Sequence, residues 1–225
     1  MKIGLSLIFI LILVHSVSYT QSTATIEGII SLPPFDKFIK KTKLYNVDGS
    51  DVMHSDDPLS KMENNVIISV HNLSTDISFQ PTPNAKVTQQ QQTFLPHVLP
   101  VTKGTTVYLL NEDEFFHNIY SLTPGSRFNI GRRPPGNPYP IVIERTGPIH
   151  LACDIHPHMD AIVLSLDTPF FTRINPDGSF LLENLPSGNY RLEVYHPLLK
   201  KRVEFLELKD GESRQVLLDY SQSKP

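Results

Sequence analysis

One short stretch of the sequence places a thiol, an imidazole and a thioether at tight spacing, as Cys153, His156 and Met159. Two residues separate Cys153 from His156, so a turn brings both donors to one ion, and two more residues bring Met159 round. His117, from a distant part of the chain, supplies a further imidazole. Two imidazoles, a thiolate and a weak methionine ligand are the donor set of a blue-copper electron-transfer centre. We therefore expect one mononuclear copper site, cycling between Cu(II) and Cu(I), at these four residues.

Other chemistries use some of the same side chains. Zinc is the chief metallic rival, but methionine is a poor zinc ligand. A nucleophilic Cys153–His156 pair is also possible. Against it, Asp154 is the one residue nearby that could orient the histidine, and no oxyanion loop is evident. A dinuclear copper centre needs a second cysteine, and a multicopper oxidase needs more His-x-His pairs than the one ending at His158.

The composition narrows the class of protein. The chain has 225 residues, 40% of them hydrophobic, enough for at least one core. Its 19 prolines argue against an all-helical fold, because proline disrupts helix interiors. One cysteine excludes an internal disulfide framework and four-cysteine metal sites. A net charge of −3 lacks the basic field of nucleic-acid binders, so no nucleic-acid partner is expected.

The amino-terminal segment has the pattern of a targeting signal. Lys2 precedes an apolar run at residues 3–14, and small residues follow at 16–18. The run is shorter than the roughly 20 residues of a membrane-spanning helix. We expect residues 1–18 to be a signal peptide, with an uncleaved anchor as the alternative. The mature protein would then be periplasmic or secreted, with no stable membrane insertion.

The elements that must position the metal ligands are short strands separated by turns. Gly and Pro mark the turns, as in the Asp177-Gly178 pair, and no amphipathic helix is evident. The pattern predicts an all-β sandwich or barrel. Strands are expected near residues 24–32, 66–70, 98–101, 106–110, 117–121, 141–143, 149–153, 161–166, 171–174, 179–182, 191–195, 203–208 and 215–218.

Residues 84–167 resemble the cupredoxins, small blue-copper proteins such as amicyanin, pseudoazurin and plastocyanin. The ligand loop, Cys-x-x-His-x-x-Met, is most similar to the short amicyanin-type loop. Departures are His158 inside that loop, which could compete as a ligand, and a long Arg/Pro-rich excursion at 124–140. The matching positions are residues 94–96, residues 101–107, Asn111, residues 116–118, and Gly147 ahead of Cys153.

The resemblance implies a Greek-key β-sandwich or barrel with His117, Cys153, His156 and Met159 as the copper ligands. It also implies that Asn118, next to the first ligand, ties the two ligand loops together by hydrogen bonds.

The flanks contain two further motifs, Pro-Asp-Gly-Ser-Phe at 176–180 and Leu-Pro-Ser-Gly-Asn-Tyr at 185–190. With these motifs the flanks resemble a second family, the carboxypeptidase regulatory-like, transthyretin-like β-sandwich. We expect one discontinuous sandwich, residues 22–82 and 168–220, interrupted by the cupredoxin domain at 84–167. This arrangement is similar to bacterial exported proteins often labelled methylamine-utilisation proteins.

These features predict a one-electron carrier that works between redox protein partners. The electron is expected to leave through His156, beside a small apolar patch at Pro157. Residues 112–114 are acidic and residues 132–133 basic; both are interpreted as solvated loops, or else as groups that steer a partner. The alternative is a copper-delivery protein in which the metal is cargo; an interaction protein with a vestigial site is a third hypothesis. An enzyme is not expected, because a complete ligand set leaves no open position for substrate.

Overall fold

The computed structural model describes residues 22–34 and 62–222. The predicted signal peptide at residues 1–18 lies outside these ranges. Within them the chain forms β-strands and one short 3-10 turn, Met62–Asn65, so the all-β prediction is confirmed. The strands are β1 Ala24–Ser31, β2 Ile67–Asn72, β3 Lys86–Gln90, β4 Thr93–Leu95, β5 Val98–Thr102, β6 Thr106–Asn111, β7 His117–Ser121, β8 Phe128–Arg133, β9 Tyr139–Val142, β10 Gly147–Ala152, β11 Asp160–Leu166, β12 Phe171–Arg173, β13 Ser179–Leu185, β14 Gly188–Tyr195, β15 Arg202–Leu208 and β16 Ser213–Asp219.

Two sheets built from the middle of the chain enclose one apolar core. The first has strand order β5-β11-β10-β7-β8, and the second has order β4-β3-β6-β9. Alternating apolar residues on these strands, such as Val107 and Leu109 on β6, point inward, as expected for sheets with one buried face. Cys153 and Met159 belong to this same core. The sheet with β10 and β7 therefore places both ligand-bearing segments side by side.

Two further sheets come from the two ends of the described chain. Their orders are β13-β1-β16 and β12-β2-β14-β15, and they enclose a second core. β1 pairs in parallel with β16, from Thr25 opposite Ser213 to Ser31 opposite Asp219. We call this pair of sheets the flanking sandwich and the other pair the central sandwich. The predicted domain limits and the transthyretin-like assignment of the flanking sandwich stay predictions.

A third apolar cluster joins the two sandwiches. It combines Ile67 of β2 with Val98 of β5, and Phe171 and Tyr195 of the flanking sandwich pack against it. Its remaining members are Ile162, Leu164 and Leu166 of β11. Because β11 begins directly after the expected ligand loop, this interface lies on the strand that leads away from the metal site.

The excursion at residues 124–140 contains regular structure that composition did not suggest. Its Phe128–Arg133 segment is strand β8, which pairs antiparallel with β7. Ile130 points into the core while the residues on both sides of it are exposed, which is the alternation of a strand with one buried face. The many prolines and arginines of the excursion obscure this alternation in the sequence. β8 protects one edge of β7, the strand that begins with His117.

The turn expected at Asp177-Gly178 forms between β12 and β13. Gly178 has φ +84°, a conformation that L side chains rarely adopt, and its carbonyl accepts a hydrogen bond from Ile30 N at 2.9 Å. A Cβ at this position would lie 2.4 Å from Ile30 O. Glycine is therefore required both by the backbone angle and by the close approach of β1.

Among the described residues, no helix has the length and apolar character to cross a membrane.

Candidate metal centre

Two neighbouring strands present the metal-binding side chains at one end of the central sandwich. His117 is the first residue of β7, and Cys153 follows β10 directly. Residues 153–159 form the loop between β10 and β11, which we call the ligand loop. Its backbone is closed by Cys153 N donating to Met159 O at 3.3 Å and by Met159 N donating to His156 O at 3.0 Å. The short spacing read from the sequence is thus realised as a tight, hydrogen-bonded turn.

Three donor atoms converge at this point. Cys153 Sγ lies 3.8 Å from His117 Nδ1 and 3.9 Å from His156 Nδ1, and the two Nδ1 atoms are 3.1 Å apart. His117 is fully buried and Cys153 is 3% exposed, whereas His156 is partly exposed. A thiolate and two imidazole nitrogens at this separation suit a single ion bound by all three. The residues fit one mononuclear copper ion of the type 1 kind.

Met159, the predicted axial ligand, is buried in the core of the central sandwich. It ends the ligand loop, is 1% exposed and belongs to the same apolar core as Cys153. A thioether in such surroundings is shielded from water, which favours a soft metal over zinc. Its role as the axial ligand stays a prediction. His158 lies outside the three-donor cluster, with its ring centroid 6.1 Å from that of His156.

Asp113 is a site residue that the sequence reasoning missed. Its Oδ2 accepts a hydrogen bond from His117 Nε2 at 2.7 Å, and both side chains are almost completely buried. The backbone N–H groups of Gln91 and Gln92 donate to the same carboxylate at 2.5 and 3.0 Å. The solvated-loop interpretation of residues 112–114 is wrong for Asp113. The one available signal was its spacing, four residues before His117.

The Asp113 hydrogen bond determines which nitrogen of His117 faces the metal. A proton held on Nε2 leaves the lone pair of Nδ1 free, and Nδ1 is the atom that faces Cys153. Burial acts to raise the pKa of Asp113, but the hydrogen bonds from Gln92, His117 and Gln91 outweigh it and lower that pKa. The carboxylate is therefore ionised at neutral pH and holds the His117 ring in place.

His156 is kept neutral by its surroundings. Burial, together with the positive charges that His117 and His158 would carry, lowers the pKa of His156, and the opposing effect of Asp113 is smaller. A neutral imidazole has a free lone pair, which is the form that binds a metal.

Asn118 and Asn111 are two buried asparagines close to His117 in the chain. The side chain of Asn118 is buried, and its Oδ1 accepts no hydrogen bond within the described residues. Asn111 instead organises the approach to His117: its Nδ2 donates to Phe115 O at 2.8 Å and to Arg133 O at 3.1 Å, and its Oδ1 accepts from Asp113 N at 3.0 Å. The predicted tie through Asn118 stays a prediction.

One aromatic side chain, Phe115, packs beside both histidines of the cluster. The ring of Phe115 lies 5.1 Å from His117 and 5.6 Å from His156, centroid to centroid. Phe116 is 55% exposed and, with Arg132 and Ile155, lines an open depression of about 450 Å³. The chain neighbours of Phe115 and His156 therefore line an apolar depression that also has a cationic side chain.

Comparison with known proteins gave matches among solved structures only. No protein-family model and no curated protein matches the chain. A purple cupredoxin from Nitrosopumilus maritimus matches 37% of this chain, and the match covers 100% of the cupredoxin, at 24% identity and a TM-score of 0.34. A copper-containing nitrite reductase from Thermus scotoductus matches 43% of this chain, and the match covers 25% of the reductase, at 25% identity and a TM-score of 0.36. A reduced amicyanin mutant matches 44% of this chain, and the match covers 99% of the amicyanin, at 17% identity and a TM-score of 0.35.

Proposed function

We propose that this chain is a type 1 copper protein that carries single electrons between redox proteins. The observation that supports the proposal is the convergence of Cys153 Sγ with the Nδ1 atoms of His117 and His156. Thiolate favours Cu(I) and imidazole favours Cu(II), so a rigid site with both is a compromise between the two oxidation states. His117, Cys153, His156 and Met159 are the proposed ligands, in a cupredoxin domain at residues 84–167.

The proposed electron path runs through His156. Its ring is the member of the donor cluster that is partly exposed, and Phe115 packs against it. The apolar surface at Phe116 and Ile155, with Pro157 in the ligand loop, suits the small, transient contacts of redox partners. With Met159 as the fourth ligand the ion has no open position, so we propose a carrier rather than an enzyme.

Copper titration of the apoprotein tests the proposal. Cu(II) added to the wild type should produce an intense thiolate-to-copper absorption band and the electron paramagnetic resonance spectrum of a strongly covalent Cu–S bond. Cys153→Ser should abolish the band, whereas the control variant His158→Asn should retain it. A colourless, weakly bound Cu(II) ion in the wild type would contradict the proposal.

Copper delivery is the second candidate function. The observation that favours it is the proximity of His158 to His156 at the exposed edge, because a neighbouring imidazole offers a departing ion its next ligand. The two functions differ in exchange kinetics. A carrier should keep its copper through many redox cycles in the presence of a copper-free acceptor, whereas a delivery protein should transfer the ion.

We further propose that residues 1–18 are removed and that the mature protein is periplasmic or secreted. The described structure supports this in one respect: the chain's one thiol, Cys153, is buried and held among metal-binding groups, which would protect it from oxidation. Mass spectrometry of the exported protein tests the cleavage. The flanking sandwich is proposed to be a carboxypeptidase regulatory-like domain formed by residues 22–82 and 168–220.

A further inference from the structure

His97 connects the end of the ligand loop to the flanking sandwich. It lies between β4 and β5 and is 5% exposed. Its Nε2 is 3.1 Å from Asp160 Oδ2, and its Nδ1 is 3.2 Å from Asn65 Oδ1. Asp160 is the residue after Met159, and Asn65 ends the 3-10 turn that precedes β2. One buried imidazole therefore contacts both Asp160, directly after the ligand loop, and Asn65, in the segment that leads into the flanking sandwich.

Asp160 occupies the position that closes the ligand loop. In the antiparallel pairing of β10 with β11, Asp160 lies opposite Ala152. Everything between these two residues is the ligand loop. A displacement of Asp160 relative to Ala152 would therefore change the relative positions of Cys153 and Met159 at the two ends of the loop.

The exposure of the Asp160 side chain, 61%, would make an ordinary surface ion pair weak. Here the partner is fixed. The carbonyl of His97 accepts a hydrogen bond from Ile162 N at 2.7 Å, and β5 continues in parallel register with β11 from Val98 opposite Ile162. Because His97 is already buried and fixed, only the Asp160 side chain loses rotamer entropy when the contact forms.

Other contacts fix the same junction from the flanking side. The guanidinium of Arg173, on β12, donates to the carbonyls of Asn64 and Val98. Ile67 packs against Val98 in the apolar cluster between the sandwiches. The 3-10 turn, the start of β5 and the start of β11 are therefore joined by hydrogen bonds and apolar contacts.

We propose that the flanking sandwich supports the copper site, with His97 as the positioning residue that transmits the support from Asn65 to Asp160. The role assigned to copper rests on the function proposed above; the mechanical link does not. The flanking sandwich is then a determinant of how firmly the methionine end of the ligand loop is held.

The link is tested first in the metal-free protein. His97→Ala should speed amide hydrogen exchange at Cys153 and Met159, whose N–H groups close the ligand loop, by about tenfold or more. His150→Ala, which removes an exposed histidine from β10, is the matched control and should leave both rates unchanged. His97→Gln restores a donor toward Asp160 and should recover slow exchange at Met159.

The copper-loaded protein gives a second, independent measurement. His97→Ala should shift the reduction potential and change the relative intensities of the thiolate-to-copper bands, whereas His150→Ala should change neither. If His97→Ala does not fold, Asp160→Ala replaces it, because that side chain is mostly exposed and its removal deletes the acceptor while leaving the cores intact. Exchange rates and spectra that match the control would overturn the inference. A wild type without a thiolate-to-copper band would refute the proposed function alone, because the exchange experiment needs no metal.

Discussion

Asp113 Oδ2 lies 2.7 Å from His117 Nε2, so a buried carboxylate stands directly behind one of the metal-binding imidazoles. The same carboxylate receives two backbone N–H groups from the turn at Gln91 and Gln92. The metal-facing nitrogen of His117 is therefore oriented before any ion arrives. A ligand that is already in place needs little rearrangement when the metal changes charge.

Asp113→Asn should weaken copper binding and raise the reduction potential. The substitution keeps the shape of the side chain but leaves one acceptor oxygen where the carboxylate has two, so it loses the bond to Gln91 N–H or the bonds from Gln92 and His117. It also removes the negative charge that stabilises Cu(II) through His117. Loss of such a partner typically costs about 10- to 100-fold in metal affinity. Competition with a copper chelator measures the affinity, and a redox titration measures the potential.

Glu114→Gln is the control, because it removes the same charge from an exposed neighbouring residue. It should have little effect on either quantity, since exposed charges are screened by water and salt. Equal effects of the two variants would mean that only the overall charge of the loop matters.

Met159→Gln should retain copper and lower the reduction potential, because a harder oxygen donor favours Cu(II) over Cu(I). Met159→Leu keeps the buried volume but removes the donor, and it should shift the potential upward. Cyclic voltammetry of the two variants gives opposite signs if Met159 is an axial ligand. An unchanged potential in both would exclude Met159 and direct attention to His158.

Stability should fall as the pH drops from about 6.5 toward 4, and His196 should account for part of the fall. Burial is the main cause that lowers the pKa of His196 to about 4, and nearby His97 adds to the effect. Between these pH values the unfolded chain binds a proton at this residue and the folded protein does not, so acidification favours unfolding. The loss reaches up to about 3 kcal/mol when the pH is below both values.

His196→Asn should flatten this pH dependence. The Nδ1 of His196 accepts a hydrogen bond from Leu198 N at 3.1 Å, and an Asn side chain can accept the same bond without titrating. Urea unfolding at several pH values between 4 and 7 measures the difference. His150→Asn, at an exposed position, should retain the wild-type slope, and identical slopes in all three proteins would disprove the assignment.

Gly178→Ala should destabilise the protein more than Gly104→Ala. Both glycines have a positive φ, +84° and +87°, so each substitution incurs a backbone penalty of about 1–2 kcal/mol. A Cβ at Gly178 also meets Ile30 O at 2.4 Å, whereas one at Gly104 meets nothing within 4 Å. The midpoint of urea unfolding should therefore fall further for the first variant. Equal midpoints would mean that β1 moves away from the turn without cost.

Local features were predictable from the sequence because short-range geometry decides them. The spacing of Cys153, His156 and Met159 predicted one loop, and a single loop forms. The alternation of apolar residues predicted strands near most of their observed positions, because a strand with one buried face imposes a period of two. His117 was found by its chemistry, since a copper site needs a further imidazole.

The contacts that complete the site were not predictable in the same way. Asp113 lies in an acidic run that is typical of solvated loops. The N–H groups that donate hydrogen bonds to its carboxylate come from Gln91 and Gln92, in the turn of another hairpin. His97 has no distinctive sequence neighbours; its partners, Asn65 and Asp160, meet only after the two sandwiches pack together. Both depend on the relative placement of distant segments, which periodicity does not encode.

The parallel pairing of β1 with β16 has a consequence for the order in which the molecule folds. A chain that emerges amino end first completes all strands of the central sandwich, β3 to β11, before β16 exists. The central sandwich can therefore fold early, while one edge of β1 stays unpaired until β16 is available. Pairings of such large sequence separation form slowly, and an open edge in the meantime is prone to aggregation. Formation of the flanking sandwich should therefore be the slow kinetic phase of folding.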